Sequence, residues 1–184
     1  MTPEKILSDL VGSASAAKTH FDVWWAQASE ARPQLLDVMN EHSDFFRASY
    51  GAHYTAFFVH IAHLFDGRAD SSSIPTYFTV MRATADAPQL TALEVEYADL
   101  LSRAQPLLRA RHKTVAHVDA VLSAKDVFAP FNITWNEARD IIYQSAEFVA
   151  KLASAPSGRI GISRDRRLTE STLRMIRALK RPAV

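Results

Sequence analysis

The sequence predicts an all-α fold, an up-and-down bundle of four to five main helices followed by a basic helical tail. Three observations carry that prediction. Apolar residues recur at three- and four-residue steps through most of the chain, the spacing of one helix face. Glycine is scarce, at 5 of 184 residues, and β-branched residues do not cluster, which disfavours strands. Prolines and capping residues fall mostly between the periodic runs, where helices start and stop.

Thr2-Pro3-Glu4 opens the first helix, with a hydroxyl cap and then proline at the first helical position. Ile6, Leu10, Ala14, Ala17, Phe21, Trp24 and Trp25 carry it to about Ala31, and Gly12 weakens it slightly. Pro33 is expected to open a second helix through Leu35, Met39, Phe45, Phe46, Tyr54, Phe57, Phe58 and Ile61 to about Phe65. This is the most aromatic stretch and the expected centre of the core. His53, His60 and His63 can share a face of that helix. A metal site there needs further ligands from a facing helix, so histidines hydrogen-bonded at the edge of the core are the preferred reading.

Asp66-Gly67-Arg68-Ala69-Asp70 reads as a loop. Its glycine comes second and no glutamate stands twelfth, which excludes a calcium loop. Ser73-Ile74-Pro75 starts a short helix that Asp86-Ala87-Pro88 is expected to end. From Gln89 a long pattern runs through Leu90, Leu93, Tyr97, Leu100 and Leu107 to about Leu122, with Pro106 marking a kink or a helix start. Residues 123–133 read as a loop. Thr134-Trp135-Asn136-Glu137 is a capping box, and its helix ends near Ala155-Pro156-Ser157-Gly158. Leu168, Leu173, Ile176 and Leu179 then repeat with helical spacing along a narrow stripe.

The expected division is one helical domain, residues 1–157, and a basic C-terminal extension, residues 158–184. Net charge is +1 over the chain, so the whole molecule is not an electrostatic nucleic-acid binder. The charge is unevenly spread: eight lysines and arginines against Asp165 and Glu170 after residue 157 give the extension about +6. With no cysteine, disulfides and thiolate metal sites are excluded. No run reaches the length of a signal sequence or a membrane span, so a cytoplasmic protein with no membrane contact is expected.

Arg109, Arg111, His112, Lys113, His117 and Asp119 are concentrated in one stretch between two apolar patterns. Arg109, Lys113 and His117 fall on one stripe of a helix. Arg111 and His117 lie about 120° apart on a straight helix, so they meet at one ligand only if the helix bends or a second copy contributes its own pair. One reading is a helix end with solvated charges and a partly buried histidine. The other is an anion site, in which arginine holds a phosphate and histidine moves a proton near neutral pH.

Arg111-His112-Lys113-Thr114-Val115-Ala116-His117 resembles the Arg-x(4–6)-His motif of the HEPN superfamily, with His112 in its polar position. The longer string from Arg111 to Asp119 resembles the AbiU2-like branch. So do Ile61-Ala62-His63-Leu64-Phe65-Asp66, the aromatic pair Tyr77-Phe78 that follows, and Ile133-Thr134-Trp135-Asn136-Glu137. The resemblance covers roughly residues 1–155. It implies a four- or five-helix bundle, often dimeric, and a metal-independent endoribonuclease of toxin or phage-defence type with no cofactor. Arg111 and His117 would then be catalytic, with Arg109, His112, Lys113 and Asp119 as substrate contacts. RNA, a second copy in a homodimer and an antitoxin are the implied partners. The competing reading is a non-catalytic nucleic-acid- or nucleotide-binding module or partner subunit. The tail could dock on the bundle, swap onto a partner, order with RNA or stay solvated.

Overall fold

The computed structural model describes residues 1–32, 34–83, 87–114, 132–157 and 166–180. These residues form helices, with no strand among them. The elements are α1 (Pro3–Trp25), a π-helical segment (Ala26–Glu30), α2 (Leu36–Glu41), α3 (Ser43–Leu64), α4 (Ile74–Met81), α5 (Ala87–Thr114), α6 (Trp135–Ser157) and α7 (Arg167–Ala178).

Cross-helix contacts set the topology. Ser13 meets His63, His20 meets His53 and Gln27 meets Ser49, so α1 and α3 run antiparallel. Trp25 meets Trp135 while Asp22 meets Tyr143, so α6 also runs against α1. Glu96 pairs with Lys151, and Asp99 and Arg103 share a groove with Gln144 and Glu147, so α5 runs against α6. The four long helices therefore alternate in direction, as an up-and-down bundle requires.

Aromatic rings fill its centre. Trp24 is fully buried, with ring centroids of Trp135, Phe57 and Tyr50 at 4.4, 5.4 and 5.7 Å. Further along, Tyr97 of α5 lies among Phe65, Phe78 and Phe148. Burying each such ring stabilises the fold by roughly 1.5–3 kcal/mol. A second apolar cluster joins Ala26, Ala31, Leu35, Val38, Met39 and Phe46 to Leu173 and Ile176. It docks α7 on α1, the π-helical segment and α2, so the helical part of the tail packs on the bundle within one chain.

The caps follow local chemistry. Thr2 and Ser73 accept backbone N–H bonds from Lys5 and Thr76, each with proline in the first turn that follows. At α6 the backbone N–H and hydroxyl of Thr134 both donate to Glu137 Oε2, at 2.6 and 2.7 Å. The Glu137 N–H returns a bond to Thr134 Oγ1 at 3.2 Å, which completes the capping box.

Two expectations are corrected, and one of the two readings of Pro106 is removed. The single helix from Pro33 to Phe65 is two: His42, at φ −113° and ψ 39°, breaks it between α2 and α3. The break lets Val38 and Met39 face the second cluster, and it leaves Phe45 exposed while Phe46 is buried. Pro33 itself lies outside the described residues, and the helix after it begins at Leu36. Ala87 and Pro88 open α5, where the missing proline N–H costs nothing, instead of ending α4. Pro106 sits inside α5 and starts no helix, because Ala104, Leu107 and Ala110 pin the turns around it to the core. The part of the pattern beyond Thr114, and the loop to residue 131, lie outside the described residues.

Candidate functional site

Three buried residues on α5, Ala104, Leu107 and Ala110, share one stripe and fix the helix's last described turns. Arg111 continues that stripe, seven residues after Ala104 and four after Leu107, whereas Arg109 lies on the opposite side of the helix. Arg109 is exposed and Arg111 half-buried. Two residues apart, they point about 160° away from each other on an α-helix, so they serve different surfaces of the bundle. Among the described residues, neither guanidinium has a carboxylate within ion-pair distance, which leaves both able to meet an external anion. His112 and Lys113 belong to α5 by their backbone. His117 and Asp119 lie outside the described residues, as does any meeting of Arg111 with His117.

The histidines of α3 make specific partners. His53 Nδ1 lies 2.8 Å from His20 Nδ1 on α1, and the His60 ring stacks on His20 at 5.8 Å and 4°. His63 Nδ1 lies 2.8 Å from Ser13 Oγ. Burial depresses the pKa of His20, and the neighbouring His53 and His60 add to it; burial also lowers His53 and His60. Among the described residues, no group of three or more histidines and acids is arranged to hold a metal ion.

Sequence reasoning missed a buried polar network between α1 and α6. Asp22, 1% exposed, pairs with Lys18 at 2.6 Å and accepts the Tyr143 hydroxyl at 2.5 Å. The Lys18 ammonium also lies over the Tyr143 ring, 5.0 Å from its centroid. Burial, then the bond to Asp22, pushes the Tyr143 phenol well above its ordinary pKa. Lys18 and Asp22 are four apart on α1, a legible ion pair, but Tyr143 stands 121 residues from Asp22.

The four long helices form an antiparallel all-α bundle, and the third of them carries Arg109 and Arg111 in its last turns. The family model HEPN_AbiU2, described as AbiU2, matches residues 4–168, and the chain belongs to that family. No curated protein and no solved structure matches it significantly. No described helix is long and apolar enough to cross a membrane.

Proposed function

We propose that the protein is a metal-independent endoribonuclease of toxin or phage-defence type, acting through Arg111 and His117. The observation that carries this reading is the Arg-x5-His spacing, Arg111 to His117, in a chain that belongs to the HEPN AbiU2 family. Support comes from the half-buried Arg111, held next to the buried Ala110 and free of acidic partners among the described residues.

The chemistry suits the pair. A neutral His117 takes the proton from a ribose 2′-hydroxyl as that oxygen attacks the adjacent phosphorus. The planar Arg111 guanidinium binds the non-bridging oxygens as charge builds on them. The bond to the 5′-oxygen breaks, an imidazolium supplies that oxygen's proton, and a 2′,3′-cyclic phosphate remains. A homodimer that apposes two motifs supplies one histidine as base and another as acid. It also relieves the angular offset between Arg111 and His117 on one helix. In a toxin-type system an antitoxin would restrain this activity.

The test compares wild-type and His117→Ala protein on labelled single-stranded RNA in EDTA. Cleavage to 2′,3′-cyclic ends by the wild type alone is expected. No cleavage by a folded wild-type dimer, with Arg111→Ala weakening a salt-dependent RNA affinity, would replace the enzyme with a binding module.

A further inference from the structure

A second polar groove lies at the end of the bundle that carries Arg109 and Arg111, because the antiparallel α5–α6 register sets the first turns of α6 level with the last described turns of α5. It encloses about 260 Å³ between the end of α1, α6 and the start of α7. Its walls are Trp25, Glu30, Arg139, Asp140, Tyr143 and Arg166.

The groove is shaped by the π-helical segment. A π-turn aligns residues five apart, and the Trp25 indole N–H donates to Glu30 Oε1 at 3.0 Å, across that interval. Such turns recur at functional sites because they redirect side chains. Here Glu30 is turned toward α7, where Arg166 grips both of its carboxylate oxygens. On the opposite wall the Arg139 guanidinium lies over the Trp25 ring, 5.8 Å from its centroid. Tyr143, locked by Asp22, closes the floor. The groove thus has the Arg139 guanidinium over an indole at one side, 3.5 Å from the Asp140 carboxylate, and the exposed, Glu30-paired Arg166 at the other.

From Arg166 the positive charge continues along α7. Thr169, Thr172, Leu173 and Ile176 are buried, so the opposite face is presented to solvent. That face carries exposed Arg167, Arg174 and Arg177, with Lys180 at its end and Glu170 the acid among them. The larger groove between α5 and α6 is different. Glu96, Asp99 and Glu147 outnumber Arg103 and Lys151 there, which suits a polyanion poorly.

We propose that this groove and the outer face of α7 form one binding track for single-stranded RNA. One base stacks on the Arg139–Trp25 ledge, and the phosphates that follow lie along Arg166, Arg174 and Arg177. The cavity is smaller than an ordinary drug-sized site and of the size for one planar ring. Stacking on a planar side chain beside a basic stripe is how proteins hold single strands without reading their sequence. An acidic peptide would use the arginines but leave the planar ledge idle. The proposal rests on RNA being the substrate, and it assigns strand binding to residues other than Arg111 and His117.

The test uses full-length His117→Ala protein, so that bound RNA stays intact, and follows a labelled single-stranded RNA by fluorescence anisotropy. A strand of equal length without bases is the second probe. The Arg174→Glu/Arg177→Glu pair should weaken both probes about tenfold or more and flatten the salt dependence. Arg139→Ala should weaken the RNA about fivefold or more and leave the abasic strand unchanged. Circular dichroism and Tm confirm that each variant is folded. Parental affinity in both variants overturns the track, as does absence of RNA binding by the parent. Equal loss of both probes in Arg139→Ala overturns the base site, and tighter binding of an acidic peptide than of RNA points to a protein partner instead. Cleavage is read separately, with His117 restored. If the variants bind and cleave normally, the track falls and the ribonuclease stands. If nothing is cleaved while the variants lose RNA affinity, the track stands and the ribonuclease falls.

Discussion

The Nδ1 atoms of His20 and His53 lie 2.8 Å apart across the α1–α3 seam, so one ring donates and the other accepts. The accepting ring must be neutral. Protonation removes the bond and sets positive charge beside His60, which stacks on His20.

Stability is therefore expected to fall in mild acid. The folded chain holds His20, His53 and His60 below their ordinary pKa, while an unfolded histidine titrates near about 6.5. The unfolded state then binds more protons once pH drops below that value. The stabilisation is complete above pH ~6.5 and is lost as pH falls through the depressed folded values. Thermal unfolding at pH 7.5 and 5.5 should give a lower Tm at 5.5, and His53→Gln should reduce the difference. Identical Tm values for the wild type would remove the histidines from the stability account.

Asp22→Ala leaves Lys18 and the Tyr143 hydroxyl without their shared acceptor in a site where Lys18 is 12% exposed. Removing one member of such a pair costs about 3–5 kcal/mol. In a chain of this size that lowers Tm by roughly 10 °C. Tyr143→Phe, which keeps the ion pair, should cost about 1–3 kcal/mol. Urea melts of the two variants check the order, and a larger loss for Tyr143→Phe would reverse the ranking of the two contacts.

Thr134→Ala removes both hydroxyl bonds of the capping box at α6. The expected loss is about 1 kcal/mol in a denaturant melt, with the m-value unchanged. An unchanged midpoint would mean that Ile133 and Trp135 anchor the helix start without the cap.

Ile176→Asp puts a charge into the cluster that docks α7. Hydrogen exchange should speed up along α7 and around Val38 and Met39, with less change in α3 and α6. Uniform loss of protection through all the helices would instead make α7 part of one cooperative unit with the bundle.

The long helices were legible because Phe21, Trp24, Phe57 and Leu107 recur at the helical period and are all fully buried. The capping box was legible because Thr134 and Glu137 lie within one turn. The break at His42 was not, since apolar spacing continues on both sides and burial by α7 decides where the chain bends. Nor was the π-helical segment, whose apolar residues fit an ordinary helix to Ala31. Arg109 and Arg111 were found as a local cluster on one helix. The His20–His53 and Asp22–Tyr143 contacts join residues 33 and 121 apart, and only the fold brings them together.

The way α1 packs bears on how the chain is made. It contacts α3, α4, α6 and α7, yet α6 and α7 leave the ribosome long after it. Until then the indole of Trp24 lacks the Trp135 ring that covers it in the finished fold. Contacts so far apart in sequence close slowly and leave apolar surface open in the meantime. The nascent chain therefore spends much of its synthesis with the apolar face of α1 incompletely sheltered.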